Sequence, residues 1–199
     1  MLPTRLTILA AVAVAATLTL AACGGDDDSG SDDEADITDV IEVSATETTL
    51  ENCTELQTQA FTEQTEFSTG EEAITACEED GDDTAGESVE VDNIEVDGDT
   101  ATSEASFTGG GLDGQTLGLS LVKEDDQWKL DSLDEFVDFD KARFTAALVE
   151  DAASDGDAPP ELLTCVEEQI GAASDEDIQT AFLSGDEQQL VGLFGICFQ

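Results

Sequence analysis

Residues 89–130 read VEVDNIEVDGDTATSEASFTGGGLDGQTLGLSLVKEDDQWKL, and this stretch decides the fold. Val89 and Val91 alternate with acids, and Ile94 and Val96 alternate in the opposite phase. A slip of one residue at Asp92-Asn93 predicts a β-bulge. Asp97-Gly98 signals a hairpin turn, because glycine readily takes the positive φ that such turns require. Ala101, Ser103, Ala105 and Phe107 continue with period two, as do Leu117, Leu119 and Leu121 after the glycines at 109–111 and Asp113-Gly114. Asp125-Asp126 turns the chain again, and Trp128-Lys129-Leu130 returns. The pattern predicts an antiparallel meander of three or four strands, with one face buried and one wet.

Helical spacing lies on both sides of the meander. Thr48-x-x-Glu51 has the form of a capping box, followed by Leu50, Cys53, Leu56, Ala60, Phe61, Gln64 and Phe67 at helical intervals. Thr69-x-x-Glu72 opens a second helix with Ala73, Ile74 and Cys77, and Asp80-Gly81 is its expected stop. After the meander, Phe136, Phe139, Ala142, Ala146 and Val149 share a helical face. Pro159-Pro160 starts another helix around Leu162, Leu163, Cys165, Val166 and Ile170. Ser174-x-x-Asp177 caps a third helix holding Ile178, Ala181 and Phe182, and Gly185 precedes a fourth that ends near Cys197 and Phe198. The class is therefore α+β. An N-terminal helical hairpin and a meander occupy 48–135, and a small all-helical domain occupies 136–199.

The order of helices and then meander resembles the nuclear-transport-factor-like α+β cone of the cystatin-like superfamily. The resemblance covers about residues 48–135. It is carried by VDGDTATSEASF (96–107) and LSLVKEDDQWKLDSL (119–133), where a Trp-Lys strand closes the sheet. It implies a curled sheet that encloses a pocket, lined here by Phe107, Leu117, Leu119 and Leu121. It brings no activity with it, since the chain lacks the pocket His and Tyr of many enzymes in that superfamily.

Residues 1–47 carry the address. Met1 to Arg5 form a short n-region with one positive charge, and residues 6–22 are an uncharged Ala/Val/Leu/Thr run. This reads as a signal peptide over 1–22, with an uncleaved anchor helix as the alternative. Leu20-Ala21-Ala22-Cys23 resembles the bacterial lipobox. That resemblance implies cleavage before Cys23 and a diacylglyceryl (palmitate-type) thioether on its sulfur. Two acyl chains give a stable anchor where one gives marginal binding. The implied location is the extracytoplasmic face of the cell membrane. The acidic run after Cys23, including Asp26-Asp27-Asp28 and Asp32-Asp33-Glu34, leads us to expect a disordered tether over 23–47.

Four further cysteines remain: Cys53, Cys77, Cys165 and Cys197. An even number in an exported chain points to disulfides, with three connectivities open. The local set, Cys53–Cys77 and Cys165–Cys197, places one bond in each expected piece. No CxxC occurs, and a zinc site would need these distant thiolates kept reduced outside the cell.

Charge and composition narrow the function. The chain carries 49 Asp and Glu against 5 Lys and Arg, with no His and no Tyr. Phosphate neutralisation needs a basic face, so nucleic acid is excluded as a partner. Without His there is no Ser-His or Cys-His catalysis and no imidazole metal site. Lys123 and Lys129 flank a turn and are expected to be solvated, and Trp128 is expected in the core. The charge itself suits brine, where counterions screen self-repulsion, and it attracts cations loosely. The reading is a lipid-anchored extracytoplasmic lipoprotein, halophilic and non-catalytic, with no cofactor. Its partner would be a small molecule, a peptide or an envelope protein. Competing readings are an envelope spacer and, more remotely, an enzyme working with carboxylates.

Overall fold

The computed structural model describes residues 28–47, 49, 51–154 and 159–198. The expected signal segment, Cys23 and Thr48 lie outside these residues. Helix α1 (Asp28–Thr46) is followed by a single wide turn at Asn52–Leu56, then α2 (Gln59–Thr65) and α3 (Glu71–Thr84). Four strands follow: β1 (Ser88–Asp97), β2 (Thr100–Thr108), β3 (Thr116–Glu124) and β4 (Gln127–Asp138). The chain ends in α4 (Lys141–Ser154), α5 (Pro160–Ala172), α6 (Asp175–Leu183) and α7 (Glu187–Phe194). The fold is α+β, with helices before and after one antiparallel sheet of order β1-β2-β3-β4.

Turns and a bulge form where the sequence signals them, with one turn displaced by a residue. The β1–β2 register shifts between Asp92 and Glu95, and Asn93 sits at φ 53°, as an αL bulge residue does. Asp97 pairs with Thr100, so the two turn residues are Gly98 and Asp99, one step later than the Asp97-Gly98 reading. Gly98 at φ 66° supplies the positive first position of a II′-type turn. Asp125 and Asp126, at φ 52° and 65°, make the I′-type turn between β3 and β4. Ser174 Oγ accepts from the Asp177 N–H at the start of α6, and Pro160 opens α5.

One face of the sheet is the floor of the core. Across β2, β3 and β4 the register stacks Ala101 on Leu121 and Leu130, Ser103 on Leu119 and Leu133, and Ala105 on Leu117 and Phe136. Phe144, Ile170 and Ile178, from beyond residue 136, belong to the same buried cluster as these side chains. The last four helices therefore share the sheet's core, where the sequence suggested a separate helical domain over 136–199.

Several expectations need correction. Phe136 lies in β4, because that strand runs on to Asp138 through irregularities that keep returning apolar residues to the buried face. The buried side of α4 is accordingly Phe144 and Ala147, while Ala142 and Ala146 are exposed. Helix α3 runs through Gly81 to Thr84, so Asp80-Gly81 does not stop it. The first hairpin helix is broken at Gln57, which bridges to Leu130. Thr58 caps the renewed helix by accepting from the Phe61 N–H. The largest departure is the tether: residues 28–46 form a helix with Ile37 and Ile41 wholly buried. Acids in its first turns suit the positive end of the helix dipole. Asp33, Ile37, Ile41 and Ala45 recur at intervals of four, which puts them on one face.

Among the described residues the scarce cations fix the joints between elements, and Lys123 and Lys129 are not simply solvated as their turn positions suggest. Lys123 Nζ pairs with Asp33 Oδ1 at 2.6 Å, and Trp128 Nε1 donates to the same oxygen at 2.9 Å. Lys123 also stands 5.4 Å from the Trp128 ring centroid. Trp128 itself is buried, as expected. Lys129 reaches the Thr54 carbonyl and Glu124, and Lys141 donates to the Ala173 carbonyl and pairs with Asp175. Gly114 lies under the Arg143 side chain so closely that a Cβ there would collide with the guanidinium.

Hydrogen bonds from Lys123 and then Trp128 hold the Asp33 carboxyl below the ordinary carboxylate range, and Asp33 raises Lys123 in turn. A depressed carboxylate adds stability above its unfolded value, about 3.9, and that stability is lost as pH falls through the folded value. The raised lysine contributes fully below its unfolded value, about 10.4, and fails only at higher pH. The α1 junction is thus whole between roughly pH 4 and 10. Amide exchange should show α1 losing protection below the carboxylate range. Asp33→Asn should weaken that protection at neutral pH and blunt its acid dependence; an unchanged profile would mean that the junction does not hold α1.

Both expected cysteine pairs are within disulfide distance. Cys53 and Cys77 have Cα atoms 6.2 Å apart, and Cys165 and Cys197 5.6 Å. The first ties the wide turn before α2 to α3, and the second ties α5 to the chain end after α7. Each contributes about 3–4 kcal/mol by the loop-entropy relation.

Candidate functional site

A cavity of about 340 Å³ lies between the buried face of the sheet and the helices. Its floor is Phe107, Leu119, Leu130 and Leu133. Ile41 and Ala45 of α1, Phe61 of α2, Leu148 of α4 and Phe182 of α6 stand around it. The lining is mainly carbon, with Ser44, Gln57, Thr65 and Glu66 as its side-chain polar groups.

Register explains where the space falls. Leu117 is paired with Phe136, which packs at 4.9–6.0 Å, centroid to centroid, against Phe139, Phe144 and Phe182. At the opposite end Leu121 pairs with Leu130 beside Trp128 and α1's anchor. Both ends of the sheet face are therefore solid. Of the four residues expected to line a pocket, Phe107 and Leu119 do so, while Leu117 and Leu121 are packed core. Phe61, Leu133, Leu148 and Phe182 carry no pocket signal in the sequence. They come from four elements, and only long-range packing brings them together.

Two polar brackets hold the walls apart. Gln64 Nε2 donates to the Leu133 and Leu183 carbonyls at 2.9 and 2.6 Å, while its Oε1 accepts from the Leu133 N–H at 2.8 Å. This one side chain spaces α2 from both β4 and α6. Gln115, wholly buried, ties the β2–β3 connection to Asp140 ahead of α4 through both its amide atoms. At the far end, the Gly86 N–H donates to the Ala45 carbonyl at 2.8 Å.

The α2–α3 corner is strained where it meets the cavity. Phe67 has φ 50°, a left-handed backbone that costs a bulky residue about 1–3 kcal/mol. Its ring lines the cavity and meets Phe182 edge-on at 5.9 Å. Glu63 closes the corner, accepting from the Gly70 N–H at 2.8 Å and from Gln59 at 2.6 Å. The Gly70 bond, followed by that from Gln59, holds the Glu63 carboxyl below its ordinary range.

Ser44 Oγ is buried on the cavity wall and has no hydrogen-bond partner among the described residues. A hydroxyl in that state costs about 1–3 kcal/mol until it meets a partner. Among the described residues, no group of three or more Cys, Asp or Glu side chains is arranged to hold a metal ion. None of the described helices is long and apolar enough to cross a membrane. No protein-family model matches the chain, and no curated protein or solved structure is significantly similar to it.

Proposed function

We propose that this chain is a lipid-anchored, extracytoplasmic binding module that holds a small apolar molecule between its sheet and helices, without catalysis. The observation that carries the reading is the apolar cavity, whose volume falls within the span of small-molecule sites. Strain at Phe67 and the unbonded Ser44 hydroxyl support it, because both costs sit on the cavity wall. Binding is favoured over catalysis by the residues available: no His, no Tyr, and four cysteines in disulfide pairs. The mainly carbon lining offers few groups to pair a peptide backbone, so the small-molecule partner is favoured over a peptide or envelope protein.

The membrane location rests on LAAC at 20–23. Mass spectrometry of the mature N-terminus should find a diacylglyceryl Cys23; an intact Met1 would overturn the anchor. The mature chain carrying Cys23→Ser contains the whole described fold and should bind naphthalenemethanol, a neutral two-ring probe, saturably at one site. Absence of saturation would favour an envelope spacer instead.

A further inference from the structure

Helix α2 ends on a residue that a helix end does not favour. The Glu66 N–H donates to the Thr62 carbonyl at the cap, and Phe67 follows at φ 50°. That left-handed position is usually held by glycine, which has no Cβ to clash, or by asparagine. The next residue, Ser68, buries its hydroxyl with no partner among the described residues, so two unfavourable features lie side by side. Such features persist where the surroundings fix them. Gln64 ties the end of α2 to β4 and α6, and Gly185 lies so close to Gln64 that a Cβ there would collide with its Cα. What this rigid, strained corner delivers is one ring. Phe67 lines the cavity and meets Phe182, another lining residue, edge-on at 5.9 Å. Phe61 and Phe107 line the same space. We infer that the cavity takes a flat aromatic body, and that Phe67 determines this specificity, its backbone strain being kept for the ring it presents to the ligand.

This rests on the binding reading above and adds the chemical class of the ligand. Aromatic rings attract one another beyond the area they bury, because the positive edge of one meets the negative face of another. A saturated body of the same carbon skeleton buries apolar surface but offers neither edge nor face of that kind. A cavity of about 150 Å³ lined by Leu, Ile and Phe holds one benzene ring. The volume here, about 340 Å³, therefore suits roughly two fused rings. Leucine at 67 would serve a saturated ligand as well as phenylalanine does, and glycine would serve the fold. The two substitutions therefore separate the ring from the strain.

The test compares naphthalenemethanol with decahydronaphthalenemethanol, its saturated counterpart, on the mature Cys23→Ser chain by calorimetry in molar NaCl. One ring pair corresponds to about two- to twelvefold in affinity, so naphthalenemethanol should bind at least about fivefold more tightly. Phe67→Leu should cut that preference at least about threefold and leave the saturated probe within about twofold, which also shows that the variant is folded. Phe67→Gly should weaken naphthalenemethanol at least about fivefold, while its unliganded melting midpoint stays within about 3 °C of the unsubstituted chain or rises. The saturated probe binding as tightly as the aromatic one would overturn the inference while leaving the binding reading in place. So would a preference that survives Phe67→Leu. A larger fall in midpoint for Phe67→Gly, or an unchanged affinity, would make Phe67 a packing residue of the fold and overturn the inference as well. Failure of both probes to bind would overturn the binding reading itself.

Discussion

Replacing Ile37 or Ile41 by Ala should destabilise the protein by about 2–5 kcal/mol each, the cost of truncating a buried side chain and leaving a cavity. Both side chains are 0–1% exposed, and both belong to the cluster that includes Leu119, Trp128 and Phe144. Total stabilities of natural domains are about 5–15 kcal/mol, so the double variant should be largely unfolded or molten at low salt. The two positions are one helical turn apart, and their costs need not add. Urea titration of the single variants at molar NaCl provides the measurement. A change below about 1 kcal/mol in both would mean that α1 is a tether after all.

Thermal stability should rise steeply with salt. Without residues 1–22 the chain has 49 acids and four bases, and the described residues contain three Lys–carboxylate ion pairs. Most acids have no cation of the protein near them. The Debye length falls from about 30 Å at 0.01 M salt to about 3 Å at 1 M, which removes most repulsion between exposed carboxylates. Relief of several kcal/mol in a chain of this size corresponds to a rise in midpoint of roughly 10 °C or more. Calorimetric scans across that range test it. Equal midpoints would show that the acids are neutralised by specifically bound cations, and choline chloride in place of NaCl would then give a lower midpoint than NaCl.

What could be read in the sequence was what is decided locally. A bulge needs a phase slip, and Asp92-Asn93 shows one; an I′ turn needs two residues at positive φ, and Asp125-Asp126 tolerate it. Ser174 and Pro160 mark helix starts for reasons internal to a helix turn. The disulfide pairs follow from which cysteines share a piece of chain. Helix α1 was hidden because its composition is that of a solvated linker, and two isoleucines among seven acids give little periodic signal. Its order depends on Asp33 meeting Lys123 and Trp128, about 90 residues away. Phe136 was misplaced because the irregularities of β4 erase strict alternation. The cavity was half legible: alternation put Phe107 and Leu119 on the inward face. Which part of that face stays open depends on Gln64, Phe182 and the aromatic cluster over Leu117.

The space over Leu119 and Leu133 is the proposed binding site. It is tested most directly by filling it. Leu133→Trp, on the floor, and Leu148→Trp, on the half-buried α4 wall, both put an indole into the cavity. Titration of naphthalenemethanol into the mature Cys23→Ser chain in molar NaCl should give one saturable site, and each substitution should weaken it by at least about tenfold. Absence of saturation in the unsubstituted chain, or unchanged affinity in both filled variants, would contradict the claim.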